Sequence, residues 1–403
     1  MINSPKIMKS YIVYFFAILL PQILMISSKG SARDTLYKMA VLLLFVGWYV
    51  MTLKESKSFV ITKGKMTWIV LYCLGSCSGM IFSDTMGISA ISSMVIIVFV
   101  FMFFVALNEN FYFDISNIDK FPFCFMLLMG YACIFNIIRN GKSILASISD
   151  VGAGNFSSFF DNKNTFGLFL FCGVIAGTLC ANHMNNKMAS RIILAGLLVS
   201  LVICGSRTAL ISSIVFLFIY FAFAKKKNWG NIIVVIGVVG IVVYVSFKVP
   251  IVNEYLQNHL LRNDNSYLDR SVMANVTLDN ITGTAWIWGY GEDAVSYMSK
   301  YTGYAYFHNT YIEVLATGGV LKCLLYGSFC LVSIKNAWKT YLRYSREIGG
   351  VFLSAWIAYF VYSFGESVVI LNGDTQGFIM TMILITLPQL YLNYYVVEKG
   401  ENA

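Results

Sequence analysis

The sequence predicts an all-α, polytopic membrane protein: about twelve transmembrane helices and one long outer-face loop containing amphipathic helix. Three observations predict it. Of 403 residues, 58% are hydrophobic and 12% charged, with mean hydropathy +0.70; a soluble globular chain carries about 25% charged residues. Runs such as 88–107 (ISAISSMVIIVFVFMFFVAL) and 230–247 reach the roughly 20 apolar residues that a bilayer crossing takes. The longest polar interval is confined to one stretch, 249–308. Hydrocarbon offers backbone groups no hydrogen-bond partner, so each span must be a helix or part of a closed barrel. Continuous apolar runs exclude a barrel built from alternating strands of about ten residues.

In chain order, apolar spans fall at 10–27, 36–53, 66–82, 88–107, 121–138, 164–181, 190–204, 208–223, 230–248, 311–333, 350–368 and 376–396. The run from Tyr11 has no obvious small-residue cleavage site and reads as span one, not as a removable signal. Residues 1–248 then form spans one to nine, 249–308 the extracytoplasmic loop, and 309–403 spans ten to twelve with a short cytoplasmic tail. With both termini cytoplasmic, 17 Lys and Arg residues lie inside and 11 outside. That is the direction of the positive-inside rule, clearest in the short loops. Loop 108–120 runs against it, with Glu109, Asp114 and Asp119 beside Lys120.

The net charge of +9 is the charge of such topology-setting loops, and no nucleic-acid partner is expected. The nine cysteines lie in or at the ends of apolar runs and read as small hydrophobes. There is no Walker A, GxGxxG, HExxH or GxSxG motif, and no DxD metal site for nucleotide sugars. A nucleotide-driven pump is therefore improbable, and neither metal nor cofactor is expected.

Two outer segments exceed turn length. Segment 139–163 delivers Asp161, Asn162, Lys163 and Asn164 to the mouth of span six. In the long loop, 253–279 spaces Tyr255, Leu256, Leu260, Leu261, Tyr267, Leu268, Val272, Met273 and Val276 at near-helical intervals. That pattern suits an amphipathic helix on the outer surface or over a cavity.

Only three histidines occur in the chain, and His308 stands directly before span ten. An imidazole titrates near neutrality and suits proton transfer; an interfacial residue at a helix start is the competing reading. Gly205-Ser206-Arg207 links spans seven and eight. Ser206 is placed to cap span eight, whose N-terminus favours anionic oxygens, and Arg207 adds a bidentate donor. Phosphate or pyrophosphate fits that spot; an arginine reaching to lipid phosphates fits it too. Arg270, in the amphipathic part of the loop, and Arg139, at the outer end of span five, would complete a diphosphate site by converging with Arg207. The competing reading is a surface salt bridge for Arg270 and an interfacial anchor for Arg139. Gly289 and Gly291 flank Tyr290 and permit close backbone approach to a ligand. Trp286 and Trp288 suit a sugar face or the membrane interface. Glu292 and Asp293 are candidate acids or solvated carboxylates. Asn309 and Glu313 are candidates to orient His308 or a sugar hydroxyl. Gly318-Gly319 suits a break or close packing in span ten.

Together these motifs resemble a known family. Asn162-Lys163-Asn164-Thr165-Phe166-Gly167, Ser206-Arg207-Thr208-Ala209, Trp288-Gly289-Tyr290-Gly291, His308-Asn309-Thr310-Tyr311 and Leu315-Ala316-Thr317-Gly318-Gly319 occur in this order. Their order and placement resemble the bacterial superfamily of O-antigen polymerases and O-antigen ligases, which includes capsule and exopolysaccharide polymerases. The resemblance implies a glycosyltransferase of the bacterial cytoplasmic membrane, working on its outer face without a metal. Donor and acceptor would be undecaprenyl-pyrophosphate-linked oligosaccharides, with the lipid bilayer as surroundings and a chain-length regulator and a flippase as candidate partners. The family's functional residues fall on Arg207, Arg270 and His308. Arg139, Asn164, Gly289, Gly291, Asn309 and Glu313 are the substrate-binding candidates, Arg139 from its position alone. A ligase passing finished glycan to a lipid or wall acceptor shares these motifs. A lipid-linked glycan flippase is a rival of another class, against which the sparse mid-span charges count; a non-enzymatic scaffold would have no need of His308.

Overall fold

Helix is the regular structure throughout the described residues, as a spanning backbone in hydrocarbon requires. The computed structural model describes residues 63–77, 115–146, 156–160, 162–183, 187–223, 266–291, 294–303, 307–371 and 375–399. In order, the helices are α1 (Lys63–Cys77), α2 (Ile115–Ile118), α3 (Lys120–Ala146), α4 (Lys163–His183), α5 (Lys187–Cys204) and α6 (Arg207–Phe223). The long polar loop contributes α7 (Ser266–Asn280), α8 (Ala285–Trp288) and α9 (Ala294–Thr302). After it come α10 (Thr310–Arg343), α11 (Arg346–Gly365), α12 (Thr375–Thr381), a π-helical turn at Met382–Thr386, and α13 (Leu387–Glu398).

Among the described residues, six stretches are long and apolar enough to cross a membrane: Lys120–Ile144, Lys163–Ala181, Lys187–Cys204, Thr310–Arg343, Arg346–Gly365 and Ile379–Glu398. They match expected spans five, six, seven, ten, eleven and twelve. The apolar helix Arg207–Ala222 is shorter and matches span eight; α1 matches span three. The spans expected at 10–27, 36–53, 88–107 and 230–248 lie outside the described residues, as does 253–265 of the expected amphipathic helix.

Helix α4 lies deep in the bundle. Of its span, 89% is buried inside the fold, as is 89% of Ile379–Glu398, against 28% for α5. An apolar circumference suits burial on every side, whereas α5 leaves Ile192 and Val199 exposed. Helices α3 and α5 pack along α4, and α11 packs between α6 and α10. Lipid tails remove the hydrophobic drive between spans, so close packing and interhelical hydrogen bonds hold them together. Phe171 of α4 stacks on Tyr362 of α11 at 5.9 Å. Tyr326 and Tyr359 join α10 to α11 through their hydroxyls at 2.6 Å. Ser333 of α10 donates to the Leu384 carbonyl in the π-helical turn (2.7 Å). Cys133, Cys172, Cys180, Cys204 and Cys330 are buried among these helices, as small apolar side chains would be.

Two irregularities shape the end of the bundle beside the polar loop. The expected break in α10 lies at Gly319, where φ is +62° and ψ −166°. Beyond α11, residues 366–371 run as non-helical backbone, buried except at Ser367. Such backbone survives at membrane depth only where protein satisfies its polar groups. Here side chains do so: Thr310 Oγ1 accepts the Val368 N–H (3.0 Å), Tyr359 donates to the Val368 carbonyl (2.7 Å), Tyr326 OH accepts the Ile370 N–H (3.2 Å), and Thr381 Oγ1 accepts the Leu371 N–H (3.0 Å).

Candidate functional site

Helix starts build one side of the site. Asn162 caps α4, its side-chain oxygen accepting the Thr165 N–H at 2.8 Å, and this sets Asn164 in the first turn. Helix α6 begins at Arg207 after Gly205 (φ +66°) and Ser206. The Ser206 hydroxyl does not cap it: Ser206 is 2% exposed and its Oγ has no hydrogen-bond partner among the described residues. It is instead pressed against α4. A Cβ placed on Gly167 would lie 2.5 Å from Ser206 Cβ, so only glycine lets the two starts meet. Thr208 packs in the same way on Gly365 at the end of α11, where an added Cβ would lie 2.8 Å from Thr208 Oγ1. Asn164, Arg207 and the end of α11 are thereby brought to the same end of the bundle.

The residue at that end is Glu366, which follows α11 and is 8% exposed. Its Oε1 accepts from Asn164 Nδ2 (3.0 Å) and from Arg270 Nη2 (3.2 Å). Its Oε2 lies 3.3 Å from His308 Nδ1. Arg270 also donates to the Gly365 carbonyl through Nη1 at 2.5 Å, so its planar fork grips two adjacent residues. The side chains of Arg270 and His308 keep 25% and 29% of their surface exposed, against 11% for Glu366. A carboxylate deep in the site thus holds a cation and an imidazole that both reach its open side.

The start of α10 aims His308. His308 has φ +50°, a left-handed conformation that costs a residue with a Cβ about 1–2 kcal/mol. Asn309 is the N-cap, accepting the N–H groups of Tyr311 (2.9 Å) and Ile312 (3.1 Å), while its amide donates to the Phe364 carbonyl at 3.5 Å. Glu313 accepts from the Ser367 hydroxyl. Asn309, Thr310 and Glu313 therefore all grip the 364–368 stretch. The partner that faces His308 is Glu366.

Gly289 and Gly291 sit elsewhere. Tyr290 N–H and Gly291 N–H donate to the carbonyls of Ala316 and Thr317, both at 2.8 Å, beside the break in α10. A Cβ on Gly289 (φ +72°) would lie 2.3 Å from Gly318 N, and one on Gly319 would lie 2.3 Å from the Ile287 backbone. The close approach expected of these glycines is to the protein's own backbone. Tyr290 stacks on Tyr297 of α9 (4.3 Å) and its hydroxyl donates to the Asn280 carbonyl (3.0 Å), tying α7, α8 and α9 together. Arg139 is exposed and donates to the Ser158 carbonyl at 3.4 Å. Glu292 and Asp293 lie outside the described residues.

The cluster combines a permanent cation, a carboxylate and an imidazole, with a second arginine at an adjacent helix start. It can bind an anion and move a proton. Glu366 was missed from the sequence because it stands 58 residues after His308 and 96 after Arg270. Its signal is slight: one carboxylate where an apolar span ends, between Gly365 and Ser367.

Residues 192–327 match the model of a protein family described as O-antigen ligase. The match supports membership of the O-antigen ligase and polymerase superfamily. It spans Arg207, Arg270, Gly289, Gly291, His308, Asn309 and Glu313, and leaves Asn164 and Glu366 outside. No curated protein matches the chain.

Proposed function

We propose that the protein is a polysaccharide polymerase that joins undecaprenyl-pyrophosphate-linked oligosaccharide repeat units on the outer face of a bacterial cytoplasmic membrane. The observation that carries this reading is the convergence of Arg270 and His308 on Glu366 at the end of the bundle where α6 presents Arg207. In the reaction, His308 takes the proton of an acceptor sugar hydroxyl as that oxygen bonds to the anomeric carbon of the donor glycan. The bond from that carbon to the pyrophosphate oxygen breaks, and lipid pyrophosphate leaves with its negative charge. Arg207 and Arg270 stabilise that charge, as pre-placed cations do best. With Nδ1–H directed at Glu366, Nε2 is the basic nitrogen, and Glu366 holds the ring in that orientation. Asn164 supports Glu366 from α4.

Transfer of finished glycan to a lipid or wall acceptor is the second reading, favoured by the description of the matched family. The length distribution of surface polysaccharide in a deletion strain of the native host separates the two. Single repeat units left attached support the polymerase; long chains stranded on the lipid carrier support the ligase. Lipid-linked units held inside the membrane would instead mark a flippase and overturn both. In the same strain, His308→Ala should fail to restore the ladder, and a normal ladder from that variant removes His308 from the chemistry.

A further inference from the structure

We propose that Thr310 is a positioning residue that fixes the geometry of the His308–Glu366 pair, an inference that rests on His308 being the base. The two members of that pair come from different parts of the chain, and 3.3 Å separates their polar atoms. A contact between a partly exposed imidazole and a buried carboxylate is only as well defined as the backbones beneath them. Thr310 joins those backbones. It stands two residues after His308, and its Oγ1 donates to the Glu366 carbonyl (3.0 Å) while accepting the Val368 N–H (3.0 Å). The Val368 carbonyl lies at 3.4 Å from the same oxygen and is held from the far side by Tyr359 OH (2.7 Å). Thr310 is 1% exposed, so water does not compete for these bonds. One hydroxyl thus stitches the non-helical 366–368 backbone to the first turn of α10, with Glu366 on one strand of the stitch and His308 on the other.

The hydroxyl and the bulk of the side chain can be separated by substitution. Thr310→Val keeps the shape and removes the donor and acceptor; Thr310→Ser keeps the hydroxyl and removes a methyl group. Polymer formation is measured in native-host membranes carrying their own lipid-linked glycan pool, per amount of inserted protein, with the melting temperature of the solubilised protein alongside. Misplacement of a reacting group by about 1 Å costs up to about 100-fold, so Thr310→Val should lower the rate per folded protein about tenfold or more. Thr310→Ser should stay within about threefold. In a Glu366→Gln background, Thr310→Val should add less than about twofold, because groups acting through one contact are not additive. A purely structural threonine would lower the melting temperature and would multiply with Glu366→Gln. A valine variant at the wild-type rate, full multiplication with Glu366→Gln, or a serine variant as slow as valine overturns the inference. The serine variant decides the matter alone if the valine variant does not insert. If His308→Ala and Glu366→Gln both keep the wild-type rate, the functional reading fails instead, whatever Thr310 does.

Discussion

Two short segments look alike in the sequence and do different work in the fold. Trp288–Gly291 lies within the polar loop and His308–Glu313 at its end, and both invite assignment to a ligand. The first spends its polarity on the protein itself: its N–H groups satisfy carbonyls of α10 beside the break at Gly319, and its glycine lets two backbones touch. The second divides the labour. Asn309, Thr310 and Glu313 hold the 364–368 stretch, which leaves His308 as the member that meets Glu366 from the partly open side. Glycine motifs beside a site are therefore evidence of backbone proximity, and only the fold tells whether the neighbour is ligand or protein.

The comparison breaks most visibly at Gly289. Gly289→Ala puts a methyl group 2.3 Å from Gly318 N at φ +72°. The left-handed conformation alone costs about 1–2 kcal/mol, and the backbone overlap adds to it. Loss of inserted, monodisperse protein is expected, read by solubilised yield and melting temperature; a stable but inactive variant would return Gly289 to the ligand. Next in size is Arg270→Lys. A lysine cannot span the Gly365 carbonyl and the Glu366 carboxylate with one planar group. The rate should fall roughly tenfold or more with little loss of stability, and a rate near wild type would reduce Arg270 to a point charge. The smallest effect is expected at Arg139, which is exposed and bonded to the Ser158 carbonyl. Arg139→Ala should leave the rate within about twofold, as surface substitutions away from special features usually do. A loss comparable to that of Arg270→Lys would bring the 156–160 segment into the site.

Much of this was legible in the chain. Apolar runs located α3, α4, α5, α10 and α11, because a bilayer dictates both helix and length. His308 stood out by rarity, and the Gly318-Gly319 pair announced the break in α10. What stayed hidden depends on contacts between distant segments. Glu366 acquires its role from Asn164, which is 202 residues away, as well as from Arg270 and His308. Ser206 was expected to cap α6, yet its hydroxyl is buried against Gly167, a packing demand that local capping preference does not register. Asn309 was read for its amide chemistry and proves to be an N-cap, a role its place before a helix equally allowed.

The most direct test of a single His308–Glu366 unit is a double-mutant cycle on the rate of polymer formation per inserted protein, using His308→Ala, Glu366→Gln and both together. Removing a general base costs about 100-fold or more, and Glu366→Gln alone should cost a substantial part of that. The double variant should be slower than His308→Ala by much less than Glu366→Gln is slower than wild type, because the loss that runs through the imidazole is already taken and only the hold on Arg270 remains. Fully multiplying losses, or a Glu366→Gln variant at the wild-type rate, would contradict the account.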